Sequence, residues 1–246
     1  MRIAAFILAS TMTLPVAATA QSLNMFDQVS FDAGLGVSYG PEYMGAEDND
    51  ASPWFILRNV QLGEDGEEKQ GFSIIPSLNY IGKRDSDDSD HLDGMDDISR
   101  AYEVGVKLSY VSGPFTSYTH VRKGFGGHHG VVGEIGTRYK RDINERLTFW
   151  AGAELQGADD RFTDTYFGVS ADEAARSGHD VYEPGGGFYE ANLNLEARYM
   201  LNDNWAVLGR AKYGRLLDDA ADSPLVRDKN QPEISVGIVR HLNFKF

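Results

Sequence analysis

The chain contains no cysteine. That excludes a disulfide framework, a Cys-based zinc site, a thiol nucleophile and a lipid-modified N-terminal Cys. Basic side chains are also in short supply: 23 Lys and Arg stand against 37 Asp and Glu, a formal net charge of −14. A phosphate backbone is held by Lys and Arg, so this balance excludes nucleic acid as a partner. Beyond the first twenty residues there is no long apolar run, and apolar residues make up only 41% of the 246. A globular domain of this length would carry more Leu, Ile and Val. Here the share goes to 13 Phe, 12 Tyr and 27 Gly.

The first twenty residues read as an address. Met1-Arg2 supplies one positive charge, and Ile3 to Ala17 is apolar, relieved by Ser10, Thr11 and Thr13. Ala18-Thr19-Ala20 is an A-x-A cleavage pattern, followed by Gln21. Residues 1–20 are therefore expected to be a secretory signal peptide, with Ala18 and Ala20 directing cleavage after Ala20. The run is too short and too rich in Ser and Thr for a transmembrane anchor. Residues 21–246 are then either soluble beyond the inner membrane or inserted as a β-barrel.

The period of that mature chain is two. Phe31, Ala33, Leu35, Val37 and Tyr39 alternate with polar or glycine positions, as do Tyr102, Val104, Val106, Leu108 and Tyr110. The same alternation recurs along 72–80, 147–155, 191–199 and 234–246, more weakly near 115–123, 131–141 and 205–215, and least regularly over 54–62. Alternation of this kind predicts β-strands. Ten strands of roughly ten residues suit a tilted bilayer crossing. Only a short segment near Asp172 to Arg176 shows a helical period.

The connections test that count. With both termini in the periplasm, loops alternate long outside and short inside. The odd-numbered connections are 40–53, 82–99, 124–130, 158–187 and 216–231; the even-numbered ones are 63–71, 112–114, 142–146 and 201–204. Four of the five odd connections exceed every even one, and the fifth exceeds all but 63–71. The fold class expected is therefore all-β, an antiparallel transmembrane β-barrel of about ten strands; a broken or duplicated second strand would make the count eight or twelve. A soluble sandwich would need dense Val, Leu and Ile on its inner faces, whereas these apolar faces hold Gly and Ala and end in aromatic residues, as a lipid-facing band does.

The opposite faces carry Glu103, Lys107, Glu134, Arg138, Lys140, Glu154, Glu196, Arg198, Arg210 and Lys212, which would project into the lumen. A ten-stranded barrel is little wider than one that side chains fill completely, so charges of both signs predict a plugged interior. The last strand places Leu242, Phe244 and Phe246 on one face, with Gly237 further back. This terminal aromatic strand resembles the signal read by the outer-membrane barrel-assembly machinery, an amphipathic edge that pairs before closing on the first strand.

Four motifs then resemble a known family. They are Gly36-Val37-Ser38-Tyr39-Gly40-Pro41-Glu42-Tyr43-Met44-Gly45, Gly126-Gly127-His128-His129-Gly130, Asp164-Thr165-Tyr166-Phe167-Gly168-Val169-Ser170 and the run from Leu217 to Val226. In this order the chain resembles the MltA-interacting protein / outer membrane protein V (MipA/OmpV) family along its whole mature length. The resemblance implies a barrel in the outer membrane of a Gram-negative bacterium, in contact with lipid and lipopolysaccharide. It also implies, for one member, a scaffold between a murein-degrading transglycosylase and a murein synthase. Other members are linked to osmotic response, antibiotic permeation or adhesion. No catalytic residues and no cofactor come with it.

Several constellations remain to be weighed. The acidic run 85–97 invites a calcium reading, but placing Gly94 at the sixth loop position puts Arg100 where a bidentate carboxylate belongs. It reads instead as a solvated outer loop, with loose divalent bridging to lipopolysaccharide phosphates as the alternative. His179-Asp180 and Asp159-Asp160 could activate water for hydrolysis, and His120 with Ser117 could form a nucleophile–base pair. The longest periplasmic turn, with Glu64, Asp65, Glu67 and Glu68, is a candidate docking site for a periplasmic murein enzyme. The expectation is a non-enzymatic scaffolding barrel linked to murein-synthesising complexes; the alternatives are a narrow small-solute channel and an outer-loop hydrolase.

Overall fold

Side chains alternating with period two form ten antiparallel strands in the computed structural model, which describes residues 28–62 and 70–245. The elements are β1 (Gln28–Pro41), β2 (Asn49–Leu62), β3 (Gly71–Ile81), β4 (Ala101–Ser112), β5 (Phe115–Gly126), β6 (Val131–Asp142), β7 (Leu147–Ala158), α1 (Asp160–Phe167), α2 (Ala171–Ser177), β8 (Gly187–Met200), β9 (Trp205–Leu216), α3 (Asp218–Asp222) and β10 (Asn230–Lys245). They make one curled sheet in the order β2-β1-β10-β9-β8-β7-β6-β5-β4-β3. The first and last strands therefore meet, in register from Gln28 opposite Lys245 to Tyr39 opposite Ile234.

The free edges of this sheet belong to β2 and β3, which are neighbours in sequence but not in the ladder. Each carries an internal proline, Pro53 and Pro76. Proline has no N–H for a ladder and is tolerated in sheets mainly at edges. Across the gap the Phe55 and Tyr80 rings stand edge-on, with centroids 6.4 Å apart. The barrel is thus curled round on itself, with this one seam left open. Strand two, the least regular by pattern, runs fourteen residues and starts earlier than its apolar alternation indicates. Its register on β1 is unbroken from Pro41 opposite Asn49 to Asp32 opposite Arg58, and shifts only between Ser30 and Asp32.

The outward face is apolar and uncovered. Leu35, Phe55, Phe72, Ile74, Leu78, Leu193 and Ile234 are all more than 60% exposed. In water so large an apolar surface would be a liability; against acyl chains it is the expected band. Among the described residues no helix is long and apolar enough to cross a membrane.

The outer connections depart from expectation. Pattern reading found one helix near 172–176, where α2 lies, and missed α1 and α3. Together with loops 42–48, 82–100 and 217–229 these helices build a cap with its own apolar interior. Phe162, Tyr166, Phe167, Tyr189, Ala220 and Ala221 form one cluster; Tyr43, Leu92, Met95, Val169 and Leu225 form another. The acidic run 85–97 is therefore not merely solvated, since Leu92 and Met95 anchor it from within.

The β1–β10 closure depends on close backbone approach. At Gly36, opposite Gly237, an added Cβ would overlap the Val236 carbonyl oxygen, whereas one at Gly209 would meet nothing within 4 Å. Gly36→Ala is expected to destabilise the folded barrel by about 1–3 kcal/mol, the usual range for overpacking. Gly209→Ala should stay within about 0.5 kcal/mol of the parent. Urea unfolding in detergent micelles measures both, and equal midpoints for the two variants would contradict this account of the closure.

Candidate functional site

The cap and the lumen beneath it hold the buried polar groups of the molecule. Local sequence signals place the cap helices. Asp159 caps α1, its carboxylate accepting from the Phe162 N–H at 3.3 Å. Ser170 and Glu173 form a reciprocal capping box at α2, which ends on Gly178 in the left-handed region at φ 80°. The Gly126–Gly130 motif turns inward: His128 is 1% exposed and its ring lies edge-on to Phe162 and Tyr166, at 5.0 and 5.7 Å. A side chain at Gly124 would overlap the His128 ring, so that glycine makes room for the imidazole.

His128 meets the barrel wall at Glu103, itself 1% exposed. Glu103 Oε1 lies 3.2 Å from His128 Nε2, while Oε2 accepts from Arg122 Nε at 2.8 Å and from Asn79 Nδ2 at 3.0 Å. Arg122 Nη1 reaches His120 Nδ1 at 3.0 Å. A guanidinium can only donate, so Nδ1 accepts, and the Ser77 hydroxyl 2.8 Å away donates to it as well. The neutral ring then carries its proton on Nε2, facing Glu134 Oε1 at 3.9 Å. Ser77, His120 and Glu134 follow the order of a hydrolase triad. The Arg122 cation, however, occupies the nitrogen that would have to take the serine proton. The sequence-based pairing of His120 with Ser117 is corrected outright: the two have opposite parity in β5, so Ser117 lies on the outer face.

Further down, side chains cross the lumen. Arg58 of β2 pairs with Glu196 of β8 and lies 5.2 Å from the Trp150 ring centroid. Arg210 of β9 lies 4.8 Å from that of Trp54 and pairs with Glu233. Asp32 of β1, 1% exposed, is 2.9 Å from His241 and 3.4 Å from Arg198. The Tyr118 hydroxyl donates to Glu154 at 2.8 Å. Ile56 packs with Ala206, Leu208 and Val239. The lumen-facing charges read from the sequence thus occupy inner positions, many of them in ion pairs.

The cap is tied together by hydrogen bonds as well as by its apolar clusters. Arg84 donates to the Tyr166 carbonyl at 3.1 Å, and burial lowers its pKa. Tyr43 donates to the Leu225 carbonyl at 3.2 Å; burial pushes its hydroxyl up to about 12. His91 and His179 stand edge-on at 4.6 Å, His91 Nε2 reaching the Pro224 carbonyl at 3.0 Å and His179 Nε2 the His91 carbonyl at 2.9 Å. Asp97 accepts from the Ser86 N–H and hydroxyl, which hold its carboxyl below the usual range.

These contacts decide several sequence-based candidates. His179 joins cap loops, and Asp159 caps α1; no contact unites them as a hydrolytic pair. Among the described residues no group of three or more His, Asp or Glu could hold a metal ion. Gly237 faces Gly36 and packs under Ile56, and Phe244 stacks on Phe31 at 5.8 Å, with Leu242 opposite Phe31 in the ladder. Ala18, Ala20, Glu64, Asp65, Glu67, Glu68 and Phe246 lie outside the described residues. The buried roles of His128 and Arg122 went unread, although a histidine set among glycines was the visible signal.

The profile of a family described as MltA-interacting protein MipA matches residues 33–242. The MltA-interacting protein of Escherichia coli strain K12 is 32% identical over 194 residues, 75% of each chain. The outer membrane protein OmpV of Vibrio cholerae is 28% identical over 166 residues, 64% of this chain and 60% of its own. Among solved structures, the N-terminal barrel domain of Pseudomonas aeruginosa OprF aligns with 88% of this chain and 98% of its own, at 10% identity and a TM-score of 0.32.

Two outcomes follow for the cap. Removing the imidazole with His128→Ala leaves a cavity beside Phe162 and takes one neighbour from a buried carboxylate, at a cost of about 2–4 kcal/mol. Limited proteolysis should then cut within 159–186 before the barrel unfolds; unchanged resistance would refute the anchoring role. Burial chiefly, with His179 adding to it against the Pro224 hydrogen bond, holds the His91 pKa below 6.5. The folded cap then binds fewer protons than the unfolded chain, so His91 supports it fully above that value and the support fades as pH falls below it. The protection factors of 82–100 against hydrogen exchange, taken relative to the intrinsic rate at each pH, should fall from about pH 7.5 to about pH 5, and less so in His91→Gln.

Proposed function

The chain belongs to the MltA-interacting protein MipA family and to the outer membrane of a Gram-negative bacterium, and we propose that it serves there as a non-enzymatic scaffold linked to murein-synthesising complexes. The observation that carries this reading is the filled interior. A cap with its own apolar core lies over the outer end, and Arg58 and Trp54 of β2 reach across to Glu196, Trp150 and Arg210. A barrel filled by its own side chains offers partners its rims rather than its bore. The E. coli relative's name, MltA-interacting protein, points to a murein enzyme as the partner class.

The docking surface in this reading is the periplasmic rim, and its longest turn carries Glu64, Asp65, Glu67 and Glu68, a patch suited to a basic surface. Residues 1–20 direct export, with cleavage after Ala20. The β10 strand, with Gly237, Leu242 and Phe244, and Phe246 after it in sequence engage the barrel-assembly machinery, and the apolar band contacts outer-membrane lipid and lipopolysaccharide. His179 and Asp159, spent on cap structure, perform no hydrolysis.

Capture of periplasmic murein enzymes by the full-length protein should be lost when 64–69 is replaced by a short Gly/Asn turn; capture that survives the replacement defeats the docking site. In planar bilayers the refolded protein should give no steady single-channel steps. Such steps would favour a small-solute channel instead.

A further inference from the structure

Side chains of a strand alternate between two faces, and the ladder registers fix which positions of each strand point outward. Among the described residues the outward positions hold four charged side chains: Lys123 of β5, Arg141 of β6, Arg215 of β9 and Arg240 of β10. All four are cations, in a chain whose 37 Asp and Glu outnumber its 23 Lys and Arg. Every carboxylate within the strands has the opposite parity. The four cations lie toward the ends of the apolar band, Lys123 and Arg215 on the cap side, Arg141 and Arg240 on the short-turn side. None of them joins an ion pair among the described residues.

Arg240 is the best placed of the four. Its guanidinium carbon lies 5.5 Å from the Trp205 ring centroid, within reach of a cation–π contact. Trp205 opens β9 directly after the turn 201–204 and stands opposite Arg240 in the ladder. Beyond this pair β10 runs on beside β1 alone. The two side chains therefore sit where the hydrocarbon ends on the periplasmic side, the depth of lipid headgroups. Trp205 is 41% exposed, and Ala33, which faces Arg240 from β1, is too short to cover the guanidinium. Toward the middle of the band, Val236 and Ile238 are exposed and offer apolar seats for acyl chains. A charge facing lipid is costly without a counter-ion, and a guanidinium matches a phosphate in a bidentate fork. We propose that the Arg240–Trp205 corner binds the phosphate headgroup of an anionic phospholipid in the periplasmic leaflet. The site rests on the placement of the chain in the outer membrane and not on the scaffolding role, so the two can fail separately.

Trp205 is also the probe. Of the three tryptophans, Trp54 and Trp150 face the lumen, with Arg210 and Arg58 over their rings. Brominated acyl chains quench an indole that they touch. The full-length protein, refolded into phosphatidylcholine vesicles, is measured with brominated phosphatidylglycerol or brominated phosphatidylcholine at equal mole fraction, and the signal of Trp205→Phe is subtracted. At low salt the anionic lipid should occupy the Trp205 site about fivefold more strongly than the zwitterionic one, the worth of one cation at an anionic surface. The preference should shrink in about 1 M salt, where the screening length falls to about 3 Å. Arg240→Gln should abolish it and Arg240→Lys keep most of it, while Arg215→Gln, at the far end of β9, should leave it unchanged. Equal quenching by the two lipids in the unmutated protein would overturn the proposal and leave Arg240 reaching for water. So would a preference that survives Arg240→Gln, or one lost equally in Arg215→Gln. The lipid and salt dependence of the unmutated protein decides the matter even where a variant fails to fold.

Discussion

A backbone in hydrocarbon has no water to satisfy its N–H and C=O groups, and everything else in this molecule answers to that constraint. It forces the curled sheet and makes β1 and β10 meet along a continuous register from Gln28 to Tyr39. It also explains the glycines at the meeting line, since Gly36 and Gly237 let two backbones approach where any larger residue would push them apart. The constraint is least satisfied between β2 and β3. There the edges carry Pro53 and Pro76, and an aromatic pair, Phe55 with Tyr80, stands where ladder hydrogen bonds would otherwise run. On the inner side of that seam β2 is held by something other than its own edge: Arg58 and Trp54 grip the far wall.

Charge is partitioned by the same fold. Residues 42–48, 82–100, 127–130, 159–186 and 217–229 hold twenty-one Asp and Glu against seven Lys and Arg, which leaves sixteen of each elsewhere in the chain. The whole net charge of −14 thus belongs to the cap, and the rest of the chain is balanced. That division is physically sensible. An acidic surface facing solvent repels little when screened over about 8–10 Å, whereas an unbalanced charge in a narrow lumen would have no such relief. The acidic excess lies in the cap, while the carboxylates of 64–68 are offset by basic residues elsewhere in the chain.

Strands were legible in the sequence because their signal is local. Each alternation, such as Tyr102 to Tyr110, carries its own evidence, and loop-length parity adds a global check that no single strand supplies. The cap was not legible, for the converse reason. Its apolar core draws Tyr43, Leu92, Val169 and Leu225 from four separate loops, and no window of the chain contains a period that would reveal them. Only α2 announced itself, through the helical period near Asp172 to Arg176. The polar network shows the same limit. That Glu103 and Arg122 point inward follows from parity, but that His128 returns from a loop to meet Glu103 does not. Proximity in sequence misled once: His120 and Ser117 are three apart, an odd spacing that a strand sends to opposite faces.

The cap and the lumen are one mechanical unit. His128 sits between the aromatic core of the cap and the carboxylate of Glu103. From Glu103 polar contacts pass through Arg122 to His120 and Glu134 on β5 and β6, and Tyr118 of β5 bonds Glu154 of β7. Each step joins groups that are largely buried, so a displacement at one end leaves a buried polar group unpaired unless its neighbour follows. Packed interiors of this kind shift between discrete arrangements rather than deform continuously. A barrel built this way resists partial opening from the outside, since lifting the cap strips Glu103 of His128. It therefore suits a role in which the periplasmic rim is held in a fixed shape for a partner better than one in which solutes pass through.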